Sequence, residues 1–256
     1  MLMTGRRWWV AALLSALGWP AHAQQAPHWR VCIPELVAPP YLYNDDSRPG
    51  IAERIVIDAA KEAGLVVSLV RLPPRRCRAA IEGNEADAVL VSPAAEVRQR
   101  YLFPARADAI DASLRVASFS FVWIKRKDSP YSWDGRRLAG GTASPITVGT
   151  RVSARVALES LRSMGVEVDD SALSTRQLLL KVAAKRVDLG VAVQEEVQYL
   201  MDDPAMDSLV VLPRPLVRTE LYLAIPVTTP PSRRREVQAW WSAIGRVRGK
   251  AEYNVR

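Results

Sequence analysis

Residues 75–92 read RRCRAAIEGNEADAVLVS and residues 176–193 read RQLLLKVAAKRVDLGVAV; both stretches carry the same phrase. Each is a short helix, a tight polar turn, an aspartate and then a strand. Aligned on Asp87 and Asp188, both place an apolar side chain six positions upstream, Ile81 and Val182, and an almost unbroken apolar run downstream. A strand that is apolar at every position needs cover on both faces, as strands of a parallel α/β sheet do. Two such units predict two similar α/β lobes with a site in the cleft between them. The aspartates themselves read as turn residues.

Around the first copy, 29–34 (WRVCIP) reads as a strand running into ELVAPPYLYND, where two prolines stop it and leave Tyr41 and Tyr43 at its end. Gly50 precedes IAERIVIDAAKEAGL, apolar at helical spacing and stopped by Gly64. VVSLVRL is a second strand, and LPPRR turns into the helix of the first copy, completing a right-handed βαβαβ unit. Around the second copy, ITVGT (146–150) is a short strand. SARVALESLRSMG is a helix with Ser153 as its N-cap, and a further helix begins near Ser174. Residues 113–127 are long for one strand, and TELYLAIP (219–226) alternates more clearly. A crossing outward near 119–124 and back near 222–226 would join the lobes by two strands able to bend as a hinge. The tail, SRRREVQAWWSAIGRVRG, is a helix burying Val237, Trp240, Trp241, Ile244 and Val247.

The start of the chain is a targeting segment. Arg6 and Arg7, an apolar stretch from Trp8 to Leu17 and Ala21-His22-Ala23 form a secretory signal cleaved after Ala23. The apolar stretch is too short to span a bilayer, which needs about 20 residues. Cleavage leaves 233 of the 256 residues and lowers the net charge from +8 to +6. The remaining arginines are scattered among acids, with no basic stripe interleaved with aromatics, so nucleic acid is a poor partner. His28 is the one mature histidine and lies in a start expected to be loose, which argues against histidine catalysis, a metal site or a cofactor. In an oxidising compartment the two cysteines, Cys32 and Cys77, fit one disulfide, two buried thiols being the alternative.

With these pieces in order, the mature chain resembles the type II periplasmic solute-binding proteins, family 3, associated with polar amino acid uptake. APPYLY resembles that family's Pro-Pro-aromatic turn, GIAERIVIDAAKEAGL its Gly-led first helix, and GNEADAVL its Gly-x-x-Asp turn. AEVRQRYLFP resembles its Thr-x-Glu-Arg segment, and LPPRRC the Pro-Trp-Lys-Arg-Cys variant of a subgroup without an evident transporter. The resemblance implies an α/β periplasmic binding protein-like II fold, with 24–120 and 221–256 as the first lobe and 121–220 as the second. It implies a periplasmic monomer closing around a small polar ligand, amino-acid-like or another small anion or zwitterion. The partner would be an ABC permease of the inner membrane, or alternatively a sensor or assembly protein. A prephenate-type dehydratase on the same fold is a further alternative.

Candidate ligand contacts are Tyr41, Arg75, Arg76, Ser92 and Arg98 in the first lobe and Thr150, Ser153, Gln194 and Glu195 in the second. Thr150 and Ser153 flank a helix entrance, where free N–H groups favour an anion. Glu195 stands where the family places an acid for a ligand amine. The departures bear on ligand identity. The family's Glu-Arg pair clamps a carboxylate in two hydrogen bonds, but here Glu96 is followed by Val97 and the arginine comes one place later. On a helical turn that offset rotates Arg98 by about 100°. Pro74 replaces an aromatic that walls the family's pocket.

Overall fold

The computed structural model describes residues 26–253, apart from 36, 44, 46 and 142–144; the secretory signal at 1–23 lies outside them. The first lobe is built from β1 (His28–Pro34), α1 (Ile51–Glu62), β2 (Val66–Leu72), α2 (Pro74–Glu82) and β3 (Ala88–Val91). The short helix α3 (Ala95–Arg98) leads to β4 (Ala117–Arg126), which runs into the second lobe. There β5 (Thr147–Arg151), α4 (Arg155–Ser163), β6 (Glu167–Ala172), α5 (Thr175–Ala183), β7 (Leu189–Val193) and α6 (Gln194–Leu200) follow. The long strand β8 (Leu209–Pro226) returns, and α7 (Pro231–Arg248) closes the chain on the first lobe.

The strand order is β6-β5-β7-β4-β8-β3-β1-β2, with residues 101–102 pairing the end of β8. In the first lobe β1 lies between β2 and β3, parallel to both; in the second, β5 lies between β6 and β7 in the same way. Each trio is flanked by one antiparallel crossing strand, β8 against β3 and β4 against β7. The crossing strands pair with each other from Leu209↔Arg126 to Leu221↔Ala117. They hold two α/β lobes together by a two-strand hinge. The register slips around Pro215, where Pro213 and Pro215 have no N–H to give the ladder. By Tyr222 the returning strand is already paired with β3, so the return crossing lies earlier in the chain than the alternation of TELYLAIP suggested.

The parallel strands are covered on both faces, as their unbroken apolar character requires. From β1, Trp29, Val31 and Ile33 join the core with α1 and α7, while Cys32 joins Cys77, Ala80 and Ile81 of α2 on the opposite face. In the second lobe Val191 and Val193 pack with Ala157 and Leu161 of α4, and Ala192 packs with Leu178 and Val182 of α5. Full burial of each valine, leucine or isoleucine among them contributes roughly 1.5–3 kcal/mol. The tail residues Val237, Trp240, Trp241, Ile244 and Val247 are all buried. Trp240 donates to the Val56 carbonyl at 3.0 Å and Trp241 to that of Leu223 at 2.7 Å, so neither indole N–H is stranded.

The doubled phrase proves to be one device used twice. The Asp87 N–H donates to the Arg30 carbonyl (2.8 Å) and the Arg30 N–H returns to Asp87 Oδ2 (2.9 Å). Likewise the Asp188 N–H donates to the Thr147 carbonyl (2.9 Å) and the Thr147 N–H to Asp188 Oδ2 (2.9 Å). Each aspartate thus clips the start of its strand to the first strand of its own lobe. Three residues upstream, Asn84 (φ 57°) and Lys185 (φ 59°) take the left-handed conformation that ends α2 and α5.

Cys32 and Cys77 form a disulfide, with 5.6 Å between their Cα atoms. His28, expected in a loose start, is instead the first residue of β1, paired with Val66. The residue before α4 is Ala154 in place of Ser153, and no side chain caps that helix.

Candidate interlobe binding site

The parallel strands β1, β3, β5 and β7 all end at one cleft, and the turns after them wall a cavity of about 500 Å³ between the lobes. That volume lies within the range of small-molecule pockets. The first lobe supplies the start of α2, the end of β3 and the segment around α3. The second supplies residues 151–156 and the start of α6, and Phe119, Phe121, Thr219 and Leu221 of the crossing strands form the floor. The wall is mainly apolar, with charge brought in by arginines.

Arg151, the last residue of β5, donates to Glu196 Oε1 at 2.8 Å, and Thr175 donates to the other oxygen of the same carboxylate. All three are buried. Burial pushes the Glu196 carboxyl above its ordinary range, against the pull of Arg151 and Thr175. At the mouth, Glu96 lies 3.8 Å from Arg100 in its own lobe and 3.6 Å from Arg155 across the cleft. The Ala95 N–H reaches Glu159 of α4 at 3.4 Å. These contacts bring the two lobes together over the cavity. Arg75 and Arg78 enter from α2; Arg78 is paired with Glu82 at 2.9 Å, and among the described residues Arg75 has no partner.

Of the residues singled out from sequence, Arg75, Ser92 and Ser153 reach the cavity wall. Six others lie outside it. Arg98 is exposed at the end of α3, and Val97 occupies the wall in its stead, the outcome of the one-residue offset. Arg76 is exposed one position beyond Arg75. Thr150 is fully buried and donates to the Val191 carbonyl at 2.8 Å, tying β5 to β7. Tyr41 lies one layer behind the wall, its ring edge-on to Phe119 with 5.2 Å between centroids. Gln194 opens α6 without reaching the cavity. Glu195 is half-buried with no partner at Oε2 among the described residues; burial and then the neighbouring Glu196 raise its pKa. Burial, then the Glu195 charge, pushes the Tyr41 phenol up.

The sequence did not single out Arg78, Arg100, Arg151, Arg155 or Glu196, which also line the cavity. Arg151 and Glu196 each sit one place past residues it chose, Thr150 and Glu195. A one-residue shift moves a side chain to the other face at the end of β5, and turns it by about 100° on α6. Strand-end position was the available signal; the facing was not.

No protein-family model matches the sequence, and a comparison with curated proteins gives no match. Among solved structures the chain is similar to a histidine kinase sensor domain with similarity to periplasmic binding proteins (TM-score 0.67, 15% identity, covering 90% of this chain and 93% of that one). It is also similar to the substrate-binding protein of an amino acid ABC transporter (TM-score 0.64, 14% identity, 88% and 95%). A third likeness is the GluR0 ligand-binding core from Nostoc punctiforme in complex with L-glutamate (TM-score 0.60, 16% identity, 86% and 97%). The chain has the type II periplasmic binding protein-like fold. In this fold the cavity lies where the two lobes face each other across the hinge, and its chemistry is set by the residues described above. Among the described residues no group of three or more His, Cys, Asp or Glu side chains could hold a metal ion, and no helix is long and apolar enough to cross a membrane.

Proposed function

We propose that this protein is an extracytoplasmic solute-binding protein that captures a small anionic or zwitterionic ligand between its lobes, with no covalent chemistry. The observation that carries this reading is the interlobe cavity, walled from both sides and supplied with five arginines against two glutamates. Such an excess of fixed cation in an apolar wall favours a ligand with negative charge. Signal-directed export, lobe boundaries at 120/121 and 220/221 and a monomeric state belong to the same reading. The two lining glutamates are both engaged by arginine, which leaves them poorly placed as the acid or base of a dehydratase.

An ABC transporter is the first-choice partner. A sensor or assembly partner is the second reading, supported by the likeness to a histidine kinase sensor domain and by the LPPRRC segment of the solo subgroup. The test is a thermal-shift screen of the mature protein against carboxylates, amino acids and phosphates, followed by titration calorimetry. A ligand at a hundred times its Kd adds about 2.7 kcal/mol of stability. The best anion should bind several-fold more weakly to Arg75→Gln, because Arg75 is exposed and has no partner among the described residues. A library without a single stabilising anion, or full affinity in Arg75→Gln and Arg155→Gln alike, would contradict the proposal.

A further inference from the structure

Resting on the proposed interlobe capture, we infer that the ligand is an organic acid with an apolar body and no α-ammonium group. The carboxylates of the cavity wall make the argument. Among the described residues they are Glu96 and Glu196 alone. Glu196 is filled by Arg151 at one oxygen and Thr175 at the other. Glu96 lies between Arg100 and Arg155, one from each lobe, so taking up a ligand ammonium would set that cation among guanidinium groups. Glu195, the acid in the sequence position suited to receive an amine, is not part of the wall. An ammonium enclosed here would lose its water and meet no free carboxylate, and a charged donor left unpaired in a dry site is strongly disfavoured.

The anion has the opposite prospects. Arg75 has no partner among the described residues, and Arg78, Arg100 and Arg155 share exposed carboxylates that leave guanidinium donors over. Between these charges Ala38, Leu42, Leu90, Val97, Phe119 and Phe121 offer an apolar surface on which an aryl or branched-alkyl body can rest. Val97 occupies wall space that a polar side chain would otherwise give to a small hydrophilic ligand.

Matched pairs that share a body and differ in the amine test this directly: 3-phenylpropanoate against phenylalanine, and 4-methylpentanoate against leucine, by calorimetry with the mature protein. The amine-free acid of at least one pair should bind about 10-fold or more tighter, the loss of one charged hydrogen-bond partner being of that order. Ser92→Asp, which adds a carboxylate to the wall, should narrow that ratio several-fold. Equal or tighter binding of the amino acid in both pairs overturns the inference and leaves interlobe capture standing. A ratio unchanged by Ser92→Asp overturns it too. If neither acid of either pair binds at millimolar concentration the inference fails, and if the broad anion screen is also blank, interlobe capture fails with it.

Discussion

Asp87 shows how a residue that looks chemical can be architectural. Beyond its clip to β1, it accepts from the Arg30 side chain at 3.0 Å and from Arg233 of α7 at 3.2 Å. One carboxylate therefore joins the turn, the first strand and the C-terminal helix. Burial works against its charge, but the hydrogen bonds and charges of the two arginines outweigh that and hold its pKa below the ordinary aspartate value. A depressed folded-state pKa stabilises the fold above the unfolded value of about 3.9 and is lost as pH falls through the folded value. Asp87→Asn should cost about 1–3 kcal/mol at pH 7, with the gap to wild type closing below about pH 4. Urea unfolding at pH 7 and pH 3.5 measures both. A gap that widens on acidification would mean that the charge of Asp87 is not what the arginines read.

At the scale of elements, much of the fold was legible in the sequence. Runs such as 88–91 and 189–193 are apolar at every position, and that alone requires cover on both faces and a parallel neighbour. Less legible was where strands end and which way their last residues face. Pro213 and Pro215 sit at a register slip inside β8, where a crossing strand can tolerate missing N–H groups because the ladder is already irregular. Two predictions belong here. Lys185 takes a left-handed conformation that an L side chain resists, so Lys185→Gly should raise stability by about 1 kcal/mol, read from the urea midpoint; an unchanged or lower midpoint counts against the strain. The Cys32–Cys77 bridge, at a sequence separation of 45 residues, ties β1 to the helix that carries Arg75 and Arg78. Closing a loop of that length is worth about 4 kcal/mol in the chain-entropy view. Reduction should therefore lower Tm by many degrees and weaken anion binding; a Tm indifferent to reductant would show the bridge to be dispensable.

For the whole molecule, the two lobes repeat one plan, three parallel strands with an antiparallel fourth, and two long strands pass between them. Each lobe brings strand ends and a helix start to the shared cavity, and Glu96 and Arg155 meet across its mouth. The sequence pattern located this cleft and three residues of its wall, Arg75, Ser92 and Ser153, whereas Arg151 and Glu196 emerged only from side-chain direction, each beside an expected contact, Thr150 and Glu195. A hinge of two strands lets the lobes separate by bending at few residues, so occupancy and closure should be one event. Spin labels at Gln99 in the first lobe and Arg162 in the second, both exposed, report that event as an interlobe distance. With the tightest-binding anion at saturation, the distance distribution should shorten and narrow relative to the ligand-free protein. A distribution that stays the same while calorimetry shows the anion fully bound would contradict capture between the lobes.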